Sequence, residues 1–293
     1  MQIELIAVPY DSAHRGRRMG AGPEHLLRAG LPDSLAGAGY QVHVRVLEAP
    51  VDAWQAEIRT AFDLARGVAE AVSNARSIGA FPLVLSGNCG PAALGCVAGL
   101  GPASGILWFD SHGDFNTPDT TLGGFLDGMA LATVTGRCWT QLSAAIPGFR
   151  PIPDSSVALL GMRDLDPLEA TALEESNILQ VRPAELRAQL PSVLSSVVRA
   201  TTATYLHLDL DVLDPGEGRA NAFAAPEGLS RADLAWAIGA IAAERPLGAA
   251  ALTSFDPDSD QTGRALSAAL ELGLRLAEAA DPANRDEAVL RTR

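Results

Sequence analysis

The chain has 293 residues, 47% of them hydrophobic and 19% charged, with a formal net charge of −13. That length allows one large α/β domain or two ordinary ones, and the composition is that of a globular protein with a large core. The acidic balance, with no Lys/Arg run, argues against nucleic acid and anionic membrane as partners, and no apolar stretch approaches the roughly 20 residues of a membrane span.

The opening MQIELIAVPYDS has no basic segment followed by an apolar one, so no secretory signal is expected. Cys89, Cys96 and Cys138 make an odd number of cysteines, unlike a disulfide framework, and point to a reducing cytoplasm.

In chain order, IELIAV (3–8) and QVHVRVL (41–47) read as strands. A helical pattern follows over 51–77, then strands PLVLS (82–86), GILWFD (105–110) and SVALLG (156–161). PAELRAQLPSVLSSVVRA (183–200) reads as helix and ATYLHLDLD (203–211) as strand. SRADLAWAIGAIAAE (230–244) reads as helix, GAAALTSFD (248–256) as strand and TGRALSAALELGLRLAEAA (262–280) as helix. In the last, Leu266, Ala269, Leu270, Leu274 and Ala277 recur at helical spacing. Buried strands alternating with amphipathic helices predict an α/β fold, a parallel sheet covered on both faces, with 1–293 as a single domain.

Five of these strands end in polar residues: SGNC, DSHGD, GMRDLD, DLDVLD and SFDPDSD. Ligands of open parallel sheets bind outside the carboxyl ends of the strands, so these ends are expected to meet in one acidic pocket. Taken singly, an aspartate there is more simply a turn or helix-cap residue. In FDSHGD, an extended strand end would put Asp110, His112 and Asp114 on one side; HLDLD does the same for His207, Asp209 and Asp211. Carboxylates this close shift towards protonation unless a cation lies between them. Asp with one or two His suits hard or borderline divalent ions, and two ions sharing carboxylates acidify a water for hydrolysis.

WFDSHGDFNTP, GMRDLDPLE and HLDLDVLDP, with MGAGPEHLLRAG near the start, resemble the signatures of the ureohydrolases: arginase, agmatinase, formimidoylglutamase and relatives. The match runs in order from about residue 5 to residue 280. The resemblance implies a three-layer α/β/α fold with a central parallel sheet. It also implies a binuclear manganese centre, two divalent ions, that hydrolyses guanidino or amidine C–N bonds of a small molecule. By the same resemblance Asp110 and Asp209 bridge the metals. Asp114 completes one ligand set, and His112 with Asp211 the other. Asn116 then faces a substrate α-carboxylate, and Asp166 and Glu169 an α-amino group, which favours an amino acid over agmatine. Asp166 and Glu169 are equally an acidic helix start. The oligomeric state stays open.

Three positions depart from the family pattern. Cys89 stands where the family has a metal-binding His, Asp127 stands at the proton-shuttle His with Gly123 near the preceding serine, and Ser254 stands where a Glu pairs with the guanidinium. A ligating Cys89 is a thiolate; it and four aspartates carry five negative charges against four on two divalent ions, which weakens Lewis acidity. Cys89 also has a plainer reading as a buried core thiol. A nucleophilic role requires a nearby base and no metal, and the surrounding carboxylates disfavour it. All three departures suit a substrate less basic than arginine. The expected substrate is Nω-hydroxy-L-arginine, giving hydroxyurea and L-ornithine, as in the family branch that shares the Cys and lacks the shuttle His. That branch keeps the Glu, so Ser254 leaves arginine, agmatine and formimidoylglutamate open as substrates, along with a metal-binding relative that has lost catalysis. Asp127 or His207 is the expected proton relay.

Overall fold

The computed structural model describes residues 1–50 and 56–284. Eight strands build one sheet: β1 (Gln2–Val8), β2 (Gln41–Val46), β3 (Phe81–Ser86), β4 (Ser104–Phe109), β5 (Val157–Leu160), β6 (Leu179–Val181), β7 (Ala203–Asp209) and β8 (Ala249–Thr253). Their order across the sheet is β2-β1-β3-β8-β7-β4-β5-β6 and every pairing is parallel. The main helices are α1 (Glu57–Ser77), α2 (Cys89–Leu100), α3 (Pro167–Glu174), α4 (Leu186–Val193), α5 (Arg231–Glu244) and α6 (Arg264–Ala280).

Alternation along the strands feeds two cores. Leu206 and Leu208 of β7 pack with apolar residues of α4, α5 and α6, while Tyr205 packs with those of α1 and α2. With both faces covered, central strands bury every position, which is why they read as continuous apolar runs. The expected three-layer α/β/α architecture is therefore the observed one.

All seven strands read from the sequence are present. The eighth, β6, was not read because three residues carry too short a pattern. The helix read over 51–77 is present from Glu57 to Ser77; residues 51–55 lie outside the described residues. The helix read over 183–200 is split: α4 ends at Val193 and a π-turn follows over Leu194–Val198. α2 was missed because it is buried nearly all round and has no polar stripe to reveal its period. Its glycines allow close packing on α1: a Cβ on Gly95 would lie 2.4 Å from Val68, and one on Gly99 2.4 Å from Val72.

The five polar-ended strands β3, β8, β7, β4 and β5 are consecutive neighbours. Their carboxyl ends form one continuous rim. The extended alternation expected beyond β4 is corrected: the strand stops at Phe109, and Asp114 has φ +47°, a left-handed turn that costs a non-glycine residue about 1 kcal/mol or more. Asp211 likewise sits in a 3-10 turn, Leu210–Val212, capped by the Asp209 side chain.

Candidate active site

A cavity of about 230 Å³ opens on this rim. Cys89, His112, Asp114, Asn116, Asp127, Asp166, Glu169, Asp209, Asp211 and Ser254 all line it, and no Lys or Arg among the described residues does. Asp110 and His207 are buried beneath its floor.

Asp110 follows β4 directly. Its Oδ2 accepts from Trp108 Nε1 at 3.0 Å and its Oδ1 from the His112 amide at 2.8 Å. The His112 ring Nδ1 lies 3.3 Å from Asp110 Oδ1 and 3.5 Å from Asp211 Oδ2. Asp211 is held by two side chains that the sequence reading missed: Ser111 Oγ donates to Oδ1 at 2.7 Å and Asn221 Nδ2 to Oδ2 at 3.1 Å. Neither had a signal, since Ser111 is hidden between motif residues and Asn221 lies in a loop without one.

Asp209 closes β7. Cys89 Sγ lies 3.1 Å from its Oδ2, and the Ser254 hydroxyl donates to the same oxygen. Ser254 itself is buried with φ +64°, and its Oγ is 3.4 Å from the Cys89 sulfur. Its side chain is therefore turned to the floor of the cavity.

Asp127 caps the N-terminus of α2. Its Oδ2 accepts from the Cys89 amide and from Asn88 Nδ2, both at 2.9 Å, and its Oδ1 from the Gly90 amide at 2.9 Å. Burial pushes its carboxyl up to about 7, against these three donors, which favour the anion. His207 is fully buried, with Nδ1 2.8 Å from the Tyr205 hydroxyl and its ring stacked on Trp108 at 3.8 Å. Burial lowers it to about 3, so the imidazole is neutral.

On the far wall, Glu169 and Asp166 form a capping box at the start of α3. Glu169 also accepts from the Phe115 amide at 2.8 Å, and Asp166 from Asn116 Nδ2 at 3.1 Å. At the mouth, Phe125 and Phe223 stack with centroids 5.6 Å apart, a pair that sequence reasoning did not single out.

The donor set fits divalent cations. Asp114 Oδ2 is buried with no hydrogen-bond partner, an orphaned acceptor in a protein interior where such atoms are rare. Burial pushes Asp114 and Asp209 well up, with repulsion from neighbouring carboxylates adding to it. Burial opposes charge on His112, yet Asp211 and Asp110 outweigh it and raise the ring to about 10. A bound cation relieves each of these conflicts. Among the described residues, two groups have the reach to hold one: Asp110, His112 and Asp211, and Cys89, Asp110 and His207; Asp110 is common to both.

A three-layer α/β/α fold with an acidic rim able to hold divalent cations defines a class, the parallel-sheet α/β proteins with a candidate cation site at the carboxyl ends of their strands. The arginase family pattern matches residues 1–277. An Nω-hydroxy-L-arginine amidinohydrolase of Streptomyces lavendulae is 32% identical over 224 residues, 75% of this chain and 78% of the relative. An arginase of Bacillus caldovelox is 26% identical over 290 residues, 92% and 96% of the two chains. The crystal structure of an arginase from Bacillus cereus superposes with a TM-score of 0.84 at 25% identity, covering 94% of this chain and 98% of that one. The chain belongs to the arginase family, and it is a hydrolase acting on C–N bonds of linear amidines. The family is a binuclear manganese family, and a small guanidino molecule is the substrate class that fits it. Among the described residues, no helix is long and apolar enough to cross a membrane.

Proposed function

We propose that residues 1–293 act as one catalytic domain that hydrolyses Nω-hydroxy-L-arginine to hydroxyurea and L-ornithine. Two manganese ions would be held by Cys89, Asp110, Asp114, Asp209, Asp211 and His112. When bound, the ions acidify a water and offset the carboxylate charge.

The observation that carries this reading is Ser254. It replaces an anion with a hydroxyl already committed to Asp209, so no carboxylate remains there to pair with a guanidinium. A hydroxyl on the guanidine lowers its basicity and makes that loss tolerable. The Phe125–Phe223 pair at the mouth offers a flat face to a planar guanidine group, hydroxylated or not. The likeness to the Streptomyces lavendulae hydrolase supports the same choice.

The chain's own residues then have distinct tasks. Asn116 and Asp166 hold the α-carboxylate and α-amino ends, with Glu169 fixing the loop that carries Asn116. Asp127, raised to about 7, is poised to hold a proton at its carboxyl and return it to the leaving nitrogen.

The test is a steady-state comparison of manganese-loaded protein on Nω-hydroxy-L-arginine, L-arginine, agmatine and formimidoylglutamate. The expected result is a kcat/KM at least about tenfold higher for the hydroxylated substrate, a difference of about 1.4 kcal/mol in transition-state stabilisation. Equal or better use of arginine overturns the reading.

A further inference from the structure

The family imidazole missing at position 89 has a spatial counterpart. On β7, Tyr205, His207 and Asp209 face the same side of the sheet, so His207 lies directly below a carboxylate of the site. Its ring, the Cys89 sulfur and an Asp110 carboxylate oxygen all lie within 4.8 Å of one another. We propose that His207 is a metal ligand, its Nε2 joining Cys89 and Asp110 on the ion at the cysteine end of the site.

The surroundings of the ring accommodate a free Nε2. The Tyr205 hydroxyl interacts with the buried Cys96 sulfur and with His207 Nδ1, 2.8 Å away. With the Tyr205 proton turned to the sulfur, its oxygen accepts from Nδ1–H. Protonation at Nδ1 puts the lone pair on Nε2. That is the arrangement of ligating histidines, whose second ring nitrogen donates to a fixed acceptor. Trp108, stacked 3.8 Å away at an interplanar angle of 14°, holds the ring plane, and its own N–H fixes Asp110.

A plain core histidine is the competing account, satisfied by Tyr205 on one side and Thr253 on the other. The Thr253 contact to Nε2 is long, 3.3 Å, and the same hydroxyl lies 3.3 Å from the Cys89 sulfur. Thr253 thus sits beside the gap between His207 and Cys89, at an ordinary distance from the sulfur, and its single hydroxyl proton can serve only one of the two.

The chemistry favours the ligand. Without His207, the ion at Cys89 would meet only anions: the thiolate with Asp110, Asp114 and Asp209. His207 restores a neutral nitrogen donor from the neighbouring strand and adds no charge to an overcharged set. It is relocation of an imidazole, from the start of α2 to β7.

This inference rests on the binuclear reading above, and the experiment separates the two. Metal-free protein is loaded with two equivalents of Co²⁺, and X-ray absorption counts the imidazoles bound. Wild type is expected to give two per chain, from His112 and His207. His207→Gln is expected to give one, and to weaken one of the two ions at least tenfold in a competition titration. The wild-type count stands even if that variant fails to fold. Two bound ions with a single imidazole in wild type, or unchanged affinities in His207→Gln, overturn the His207 assignment and leave the binuclear site intact. Fewer than one tightly bound ion per wild-type chain overturns both.

Discussion

The Cys89 sulfur lies 3.1 Å from Asp209 Oδ2, in hydrogen-bonding contact between two acids. One of them must hold a proton for that contact to be attractive. Burial pushes the Cys89 thiol well above its ordinary value, with Asp209, Asp127, Asp114 and Asp110 adding repulsion, so in metal-free protein the thiol is the donor. A resting thiol of this kind is a poor nucleophile. It becomes a thiolate only when a cation displaces its proton.

Metal binding is therefore expected to release protons. At pH 7 Cys89 gives up one, and His112, raised to about 10 by Asp211 and Asp110, gives up another. Calorimetry in buffers of different ionisation enthalpy should find at least two protons released on full loading, with Asp114 and Asp209, both pushed well up, adding any they hold. Cys89→Ser should lower that number by about one. An unchanged proton count in Cys89→Ser means the sulfur is not a ligand.

The metal-free protein should also lose stability as pH rises from about 6.5 to about 9. His112 has a folded value above its unfolded one, so in this window the folded state holds more protons; the Cys89 thiol adds to the difference only at the top of it, where an unfolded thiol begins to ionise. Stability then falls with pH, by about 1.4 kcal/mol per pH unit for each extra proton held. Asp127, raised to about 7, acts in the same direction up to that value. His207 opposes it, since its lowered value of about 3 makes the unfolded state the proton-richer one, but only below its unfolded value of 6.5. Melting temperatures of chelated protein across this range check the slope. Saturating manganese should flatten it, because the loaded site holds no extra protons. A flat profile without metal would contradict the raised protonation of this buried cluster.

Ser254 governs which guanidine is preferred. Its hydroxyl donates to Asp209, and the side chain reaches no further into the cavity. Ser254→Glu introduces a carboxylate that favours a full positive charge. The ratio of kcat/KM for arginine over Nω-hydroxy-L-arginine should rise at least about tenfold. Ser254→Ala removes one hydrogen bond, costs about 1 kcal/mol of stability and leaves the ratio unchanged within about twofold. If the glutamate variant keeps the wild-type ratio, position 254 does not set specificity.

The sheet and most of the acidic site were legible because they rest on local patterns. Continuous apolar runs marked β1, β3 and β7, and each polar end announced a rim position. α2 was illegible for a physical reason: a helix buried nearly all round has no amphipathic period, and its glycines read as turns. Asp114 could be placed in the site from its motif, but not its left-handed backbone, which depends on the loop that Glu169 braces from 54 positions away. The closeness of His207 to Cys89 and Asp110 is likewise long-range. It arises from strand order, which brings β7 between β4 and β8, and no spacing along the chain records that order.

Arg163 shows what the motif GMRDLD contributes beyond its aspartates. Its guanidinium donates to the carbonyls of Gly161, Asp211, Val212, Leu213, Ala225 and Pro226, at 2.7–3.3 Å. It thereby ties the end of β5 to both ends of the 211–226 loop, which carries Asp211, Asn221 and Phe223. Arg163→Met removes all six of these hydrogen bonds, although the Val212 carbonyl keeps the Leu229 amide, and should cost about 2–4 kcal/mol of stability. Arg163→Lys should recover less than half of that, since three donors on a point charge do not reproduce the planar fork. The site should feel it as well. With the loop loosened, the ion bound by Asp211 and His112 should weaken at least tenfold, while the ion at Cys89 changes little. Melting temperature and a two-ion competition titration of the same variants separate these effects. Equal weakening of both ions would mean that Arg163 supports the fold as a whole and not the Asp211 loop in particular.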